Sequence, residues 1–138
     1  MSTQQNELTV KDVMLTKGKY PVISKKTILK EAMEEMGRTR LGIVCITGEG
    51  DKLLGILTDG DIRRKLLKVQ KPFSAFFVDD ALNHSIQSPF TVRPEQTLKD
   101  AVIFMEEKQV WDLPVVNDKG ILVGLLHLHP AIQALLGI

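Results

Sequence analysis

The chain has 138 residues, enough for one ordinary domain or two small modules, and its 43% hydrophobic and 25% charged residues are typical of a folded globular protein. Its formal net charge is +1 and no basic block stands out, which argues against nucleic acid and acidic membrane surfaces as partners. The sequence holds no apolar span of about 18 residues, so we expect neither a membrane helix nor a signal peptide. The single cysteine, Cys45, fits a reducing cytoplasm.

The N-terminal part of the chain predicts two short elements. Residues 1–7 are polar and predict a loose end, after which residues 8–14 predict a short helical turn with Thr9 as its cap. Residues 20–23 then predict a short strand, because an apolar run is bounded there by polar residues.

A helix and a buried strand are predicted next. Five apolar residues at helical spacing form one stripe: Ile28, Leu29, Ala32, Met33 and Met36. Thr27 is the predicted cap of this helix and Gly37 its predicted end. Residues 41–46 form a nearly continuous apolar run, which favours a strand covered on both faces, and residues 48–52 predict a hairpin turn.

Residues 53–67 predict a buried strand that runs directly into a helix. An apolar run ends at Thr58, the polar sequence TDGD follows, and Ile62 and Leu66 then recur at helical spacing. Residues 68–78 connect this helix to the second half of the chain and contain three phenylalanines. Because so many aromatic rings are unusual in a solvated linker, we expect this connector to fold back on the core.

The second half of the chain repeats the first. Residues 29–67 align with residues 98–136 at a constant offset of 69 without a gap, which indicates an internal duplication. In the second copy we predict strands at residues 88–92, 113–116 and 122–127, with a helix between the first two and another after the last.

Each copy thus has the order strand, helix, strand, strand, helix, which predicts an α+β fold of tandem repeats. Two such units are expected to bury one sheet face on the other around a pseudo-two-fold axis. We place the first repeat at residues 8–71, the packed connector at residues 72–81 and the second repeat at residues 82–138.

Two polar residues, Thr58 and Asp61, lie where the predicted strand meets the predicted helix. Backbone N–H groups and the helix dipole favour anions at such a point. Asp61 could accept hydrogen bonds from ribose hydroxyls, and Thr58 could donate one to a phosphate oxygen. The same spacing is close to that of a helix capping box, so the ligand and capping interpretations both remain open.

The basic residues that follow, Arg63, Arg64 and Lys65, could complete an anion site or form a solvated helix face with an Asp61–Lys65 pair. The sequence contains no nucleophile elbow, phosphate-binding Walker loop or HExxH motif. We therefore expect no catalytic residues in this chain.

Two histidines near the C-terminus, His127 and His129, are spaced to point the same way along a strand and could share a metal ion. No cysteine lies beside them, and His84 is distant in sequence, so we predict no metal site. In the alternative interpretation, His129 caps the last helix and Pro130 occupies its first position.

The repeated unit, which ends in the first copy in Gly-h-h-Thr-x-x-Asp (h, hydrophobic), resembles the cystathionine-β-synthase (CBS) domain pair, or Bateman module. Residues 10–14 are similar to the N-terminal motif of that family and residues 55–61 to its nucleotide motif. The resemblance covers residues 8–136. It implies that a cleft between the repeats binds an adenine nucleotide such as AMP or ATP, and that the pair regulates an enzyme or channel.

The resemblance also implies which residues contact the ligand. Thr58 and Asp61 belong to the nucleotide motif, and the base pocket would be lined by Gly42 and Ile43, with Gly42 leaving room for a ring. The flanking residues Asp59 and Arg64 complete the predicted set.

The second repeat departs from the motif. His127 replaces the threonine and Pro130 the aspartate, so the ribose contact is lost and we expect this site to be empty or altered. Trp111 and Asp112 stand at the base-pocket positions, where Trp111 could stack on a ligand or fill the cleft.

Within the CBS family, the chain is most similar to the C-terminal CBS pair of arabinose-5-phosphate isomerases. The strings GILTDGDIRR and LPVVNDKGILVGLLHLH carry this resemblance. It implies a regulatory fragment that has no activity of its own, preceded in its parent chain by a sugar-isomerase (SIS) domain acting in the synthesis of Kdo for lipopolysaccharide or capsule. The ligand would then be a nucleotide or an end product such as CMP-Kdo.

An assembly module that holds an oligomer together without a ligand is the alternative function. Ile103 and Phe104 replace Glu34 and Glu35 of the first repeat, so the second repeat has a helix with an additional apolar face. We expect Ile103 and Phe104 to lie in a homodimer contact.

Overall fold

The computed structural model describes residues 7–68 and 70–138. In chain order, the elements are α1 (Val10–Val13), β1 (Val22–Ser24), α2 (Leu29–Thr39), β2 (Ile43–Thr47), β3 (Leu53–Thr58), α3 (Asp59–Lys68), α4 (Phe73–Phe77), α5 (Leu98–Lys108), β4 (Asp112–Val116), β5 (Leu122–His127) and α6 (Leu128–Leu136). Short 3₁₀ turns lie at Glu49–Asp51 and Ala81–His84. No helix in these described ranges is long and apolar enough to cross a membrane.

The chain divides into two compact units. The central unit is Gly18–Pro89, and the terminal unit combines residues 7–17 with Phe90–Ile138. Each unit has its own cluster of buried apolar side chains. The predicted α+β fold of tandem repeats is confirmed, and so is the predicted strand that runs directly into a helix, because β3 ends at Thr58 and α3 begins at Asp59.

The sheet of the central unit has the strand order β1-β2-β3, with β1 parallel to β2 and β2 antiparallel to β3. Helix α2 provides the crossover that a parallel pair requires. Four of the five residues of β2 are buried, as the continuous apolar run predicts. The core cluster against this sheet includes Leu29, Ala32, Val44, Leu57 and Ile62.

The terminal unit contains the two-stranded antiparallel sheet β4-β5. The strand predicted at residues 88–92 is reduced to a single parallel bridge between Val92 and Val115. In the central unit, the N–H of Cys45 donates to the carbonyl of Pro21 at 3.0 Å. The residue equivalent to Cys45 is Pro114, which has no N–H, so the corresponding ladder bond cannot form.

In each unit, a segment that precedes a repeat in sequence packs beside the last strand of the other repeat. Leu15 exchanges two backbone hydrogen bonds with Leu125, at 2.8 and 3.0 Å, and Ile86 exchanges two with Ile56, at 2.8 and 2.9 Å. Each compact unit therefore includes the segment that pairs with its last strand, even though that segment precedes the other repeat in sequence. The predicted repeat boundaries at residues 71 and 82 describe the sequence duplication and stay a prediction.

The connector packs as predicted at one of its phenylalanines. Phe76 in α4 is 1% exposed and belongs to the core of the central unit, whereas Phe73 is 62% exposed. Beyond α4, Asp79 Oδ2 accepts hydrogen bonds from Lys71 Nζ at 2.6 Å and pairs with His84 Nε2 at 2.9 Å. The Lys71 bond, and after it the His84 bond, lower the pKa of the Asp79 carboxyl.

Three predicted helix ends are wrong. The hydroxyl of Thr27 accepts from the N–H of Ser24 in the preceding turn, so the N-cap of α2 is Ile28. This helix continues through Gly37 to Thr39, and its C-cap, Arg40, adopts the left-handed conformation with φ 57°. At the last helix, the N-cap is His127, and Pro130 is the third residue of α6.

Two equivalent glycines, Gly55 in β3 and Gly124 in β5, allow the crossing segments to approach. A Cβ at Gly55 would lie 2.8 Å from the carbonyl oxygen of Ile86, and a Cβ at Gly124 would lie 3.0 Å from that of Leu15. Real Cβ atoms do not approach a backbone oxygen to 2.8 Å, so Gly55 is required by packing.

We expect Gly55→Ala to lower the free energy of unfolding by about 1–3 kcal/mol, because the backbone of Ile86 must move to admit the methyl group. Equilibrium unfolding in urea measures this change. Gly37→Ala is the matched control: nothing lies within 4 Å of the added Cβ, and alanine in a helix should stabilise by about 0.5–1 kcal/mol. Equal stability of the two variants would contradict the packing role of Gly55.

Candidate functional site

The six residues predicted to contact a ligand gather at one end of the β2-β3 hairpin. Ile43 is the antiparallel partner of Thr58, and the N–H of Asp59 donates to the carbonyl of Gly42 at 3.0 Å. This bond fixes the start of α3 against the start of β2. Asp61 and Arg64 lie on the first turns of the same helix. We call this set of six residues the Thr58 junction.

The hydroxyl of Thr58 makes two hydrogen bonds to Asp61. It accepts from the N–H of Asp61 at 3.1 Å and donates its proton to Asp61 Oδ2 at 2.7 Å. Capping therefore describes the observed hydrogen bonds. Because a hydroxyl has one proton and Asp61 already accepts it, the predicted donation to a phosphate oxygen would require this bond to break, and that donation stays a prediction.

Asp61 is the most enclosed carboxylate of the junction, with 18% of its side chain exposed. Its Oδ1 accepts from Arg64 Nη2 at 2.8 Å, so the ion-pair partner is Arg64, three residues along the helix, and the predicted pair with Lys65 is wrong. Each carboxylate oxygen has two acceptor sites. Asp61 can therefore still accept hydrogen bonds from a vicinal diol such as that of ribose.

The space above Gly42 is not open. A Cβ at this position would lie 2.9 Å from Asp59 Oδ2 and 3.0 Å from Asp59 Oδ1, so the carboxylate of Asp59 already lies against the glycine. The side chain of Ile43 is 1% exposed. The predicted opening at Gly42 and Ile43 is thus occupied by Asp59 on one residue and closed by burial on the other.

The equivalent junction of the terminal unit has the same backbone and different chemistry. The N–H of Leu128 donates to the carbonyl of Trp111 at 2.9 Å, as Asp59 does to Gly42. His127 and Asp112 are antiparallel partners, and His127 Nδ1 lies 2.7 Å from Asp112 Oδ1. Sequence reasoning missed this pair, because counting outward from the Val116–Leu122 pair would place Asp112 opposite Leu126. The register shift between Val115 and Val116 brings it opposite His127 instead.

Two other interpretations of the terminal unit do not fit the structure. Trp111 is 71% exposed, so its ring does not pack as a filling role requires. The strand ends at His127, and His129 already lies in α6, so strand alternation does not align the two histidines. Within residues 7–68 and 70–138, no three histidine, cysteine, aspartate or glutamate side chains gather as metal ligands.

A cavity of about 410 Å³ lies elsewhere in the terminal unit. Its lining combines the start of the described chain with the first turn of α5 and the end of α6: Glu7, Leu8, Thr97, Lys99, Asp100, Ala134 and Leu135. Thr97 and Asp100 in this lining repeat the Thr-x-x-Asp spacing of Thr58 and Asp61, but α5 does not follow directly on a strand as α3 does.

Comparison with known proteins bears on this geometry. The family model described as "CBS domain" matches residues 10–68 and 79–135. The chain is 34% identical over 117 residues to a probable arabinose 5-phosphate isomerase of Haemophilus influenzae, an alignment that covers 85% of this chain and 33% of that protein. It is 30% identical over 127 residues to arabinose 5-phosphate isomerase KdsD of Salmonella typhi, with 92% of this chain and 37% of that protein covered.

A solved structure shares the fold. CBSX2, a CBS-pair protein from Arabidopsis thaliana whose structure was determined in complex with AMP, superposes with a TM-score of 0.82 at 25% identity. The superposition covers 94% of this chain and 97% of that one. The chain spans only about a third of the length of the two isomerases.

We expect Thr58→Val to lower the free energy of unfolding by about 1 kcal/mol, because the N–H of Asp61 loses its acceptor while the side-chain volume is kept. Thermal or urea unfolding measures this. Thr58→Ser retains the hydroxyl and should stay close to the parent protein. A Thr58→Val protein as stable as Thr58→Ser would show that the cap contributes nothing.

Proposed function

This chain belongs to the CBS domain family, and we propose that it is a regulatory module that senses a nucleotide or nucleotide-sugar at the Thr58 junction. The observation that carries the proposal is the enclosed carboxylate of Asp61, held by Thr58 and Arg64 at the strand-to-helix turn. A carboxylate fixed in this way is a pre-organised acceptor for a ribose diol, because little side-chain entropy is lost when the ligand binds.

We propose one ligand site per chain. The terminal unit offers His127 and Pro130 where the central unit has Thr58 and Asp61, and proline has no side-chain acceptor. The imidazole of His127 is also paired with Asp112 at 2.7 Å. A titration should therefore give a stoichiometry of one nucleotide per chain.

The sensed ligand is proposed to regulate a sugar-phosphate isomerase. Two relatives are arabinose 5-phosphate isomerases, and this chain aligns with about a third of each. We place the interconversion of ribulose 5-phosphate and arabinose 5-phosphate in the remaining, sugar-isomerase part of such a parent protein, as a cytoplasmic step in Kdo synthesis. The CBS chain itself then has no isomerase activity.

The base of the ligand is decided by a binding panel of AMP, ATP, CMP and CMP-Kdo. AMP is included because it is the ligand of CBSX2, and CMP-Kdo because an end product is an economical feedback signal. A ligand that binds only the folded state raises the melting temperature by mass action. A melting temperature unmoved by every member of the panel would reject the sensing function.

A second candidate function, a ligand-independent assembly module, is favoured by one surface. Ile103 on α5 is 47% exposed and the neighbouring Phe90 is 48% exposed. Phe104 is more covered than the sequence predicts, because it packs edge-on against Phe90 with Lys108 Nζ 5.8 Å from its ring centre. We propose that Ile103 and Phe104 lie at a homodimer contact, which is compatible with either function.

We expect Asp61→Asn to weaken nucleotide binding about ten- to a hundredfold while shifting the melting temperature little. Asparagine keeps the shape and much of the capping ability, so the substitution isolates the charged acceptor. Isothermal titration calorimetry measures the affinity for whichever nucleotide of the panel binds.

The matched control is Asp100→Asn. Thr97 and Asp100 form the same Thr-x-x-Asp pattern at the start of α5, where the N–H of Asp100 donates to Thr97 Oγ1 at 3.2 Å. This variant should bind nucleotide as the parent protein does. If Asp61→Asn also binds with undiminished affinity, the site assignment is wrong and Asp61 serves only as part of the cap.

Ile103→Glu should convert the proposed dimer to a folded monomer, because a charge would be buried at the contact. Light scattering gives the mass, and circular dichroism confirms folding. Ile138→Glu, at an isoleucine that is 82% exposed near the chain end, is the control and should leave the dimer intact. A parent protein that is already monomeric at high concentration would reject the contact.

A further inference from the structure

We infer that the cavity of the terminal unit is a docking site for an aromatic side chain, carried on a short helix by the isomerase part of the parent protein. The inference goes beyond nucleotide sensing, and it rests on the proposed parent isomerase for the identity of the occupant. It follows from a comparison of the two units, because the corresponding place in the central unit is filled by α4.

The segment before the first helix of each repeat is held in the same way. The N–H of Leu98 in α5 donates to the carbonyl of Leu8 at 2.8 Å, and the N–H of Leu29 in α2 donates to the carbonyl of Asp79 at 2.8 Å. Leu8 therefore corresponds to Asp79. Counting back along the sequence from this pair matches residues 1–6 with the segment that contains α4.

In the central unit, that segment completes the core. Phe76 of α4 is 1% exposed and belongs to the buried cluster that also includes Leu29, in the first turn of α2. Leu66, near the end of α3, packs against the same cluster. The aromatic ring of a short helix thus closes the core beside the start of α2 and the end of α3.

In the terminal unit, the corresponding place is the cavity of about 410 Å³. Its lining includes the first turn of α5 and the end of α6, which are the counterparts of the start of α2 and the end of α3. Leu135, the counterpart of Leu66, lines the cavity and is 40% exposed. The counterpart of Phe76 in the sequence is Gln5, and residues 1–6 contain no aromatic residue. This chain therefore supplies no equivalent of the Phe76 ring.

The lining of the cavity favours an apolar side chain over a charged ligand. Leu8, Ala134 and Leu135 provide an apolar wall, whereas Lys99 and Asp100 carry opposite charges. Charges of both signs favour neither a phosphate nor a cation, and an apolar wall with a few polar groups suits a ring whose backbone remains at the polar edge. A helical turn with one aromatic residue, as in α4, has this chemistry.

The position of the cavity favours the isomerase part of the parent protein as the occupant. In the proposed parent, that part precedes this chain, and the chain enters the terminal unit at Glu7 and Leu8, which line the cavity. A stretch of six residues spans at most about 20 Å. The isomerase surface is therefore tethered beside the cavity, and a short tether gives an effective concentration of about a millimolar or more. A contact too weak to join separate proteins is populated under these conditions.

A graft tests whether the cavity accepts an aromatic side chain. Residues 1–6 are replaced by a copy of residues 72–77, PFSAFF, which puts the copy of Phe76 at position 5. We expect the melting temperature to rise by about 5–10 °C, because one more phenylalanine side chain is buried. The matched control is the graft PFSAAF, in which alanine replaces the copy of Phe76, and it should melt close to the original chain. Differential scanning calorimetry measures both.

Thiol labelling tests the occupant. Leu135→Cys places a thiol in the lining, and Leu136→Cys is the control, at a leucine that is 67% exposed and outside the lining. The native Cys45 is buried and reacts slowly. With N-ethylmaleimide and mass spectrometry, we expect the thiol at position 135 to react about tenfold more slowly in the full-length parent than in this chain. The control thiol should react at the same rate in both.

The outcomes separate this inference from the function on which it rests. A PFSAFF graft that melts like its alanine control overturns the inference, while nucleotide sensing at the Thr58 junction stands. Equal labelling at position 135 in the chain and in the parent overturns the isomerase part as the occupant. A nucleotide panel without effect rejects the sensing function and leaves both tests valid. Stabilisation by the graft together with protection in the parent confirms the docking site.

Discussion

The hydrogen bond from the N–H of Asp59 to the carbonyl of Gly42 is the constraint on which the candidate site depends. It joins the first residue of a helix to the residue before the neighbouring antiparallel strand, so the turn from β3 into α3 is held from both sides. Its counterpart, from Leu128 to Trp111, holds the second turn in the same way. Because backbone atoms make both bonds, the geometry of the turn survives side-chain replacement.

Side chains then give the two equivalent turns different chemistry. In the central unit, Asp61 is an acceptor fixed by a hydroxyl and a guanidinium. In the terminal unit, the imidazole of His127 pairs with the carboxylate of Asp112, and the position of Asp61 is taken by Pro130. A duplicated scaffold therefore need not contain a duplicated site, because the scaffold is specified by backbone bonds and the site by side chains.

The pattern Thr-x-x-Asp also shows why a motif needs its structural context. It begins three helices of this chain, at Thr9, Thr58 and Thr97, and in each the threonine and aspartate contact each other. Only at Thr58 does the pattern follow a buried strand directly. The bonds differ among the three: Asp12 accepts from the hydroxyl of Thr9, the hydroxyl of Thr97 accepts from the N–H of Asp100, and the hydroxyl of Thr58 makes both kinds of bond to Asp61. A ligand role is proposed for the Thr58 pattern because of the strand that precedes it.

The sequence by itself determined the duplication, the order of the elements and the position of the strand-to-helix turn, because hydrophobic periodicity and a constant repeat offset are local properties that survive without coordinates. Only the tertiary structure decided which hydrogen bonds the polar side chains make. The carboxylate of Asp59 fills the space that Gly42 was expected to leave open, Arg64 pairs with Asp61, and His127 pairs with Asp112. These partners depend on where the side-chain atoms lie in three dimensions, which no sequence spacing specifies. The tertiary structure likewise decided that the segments at Leu15 and Ile86 pair with the last strands, β5 and β3, through backbone hydrogen bonds.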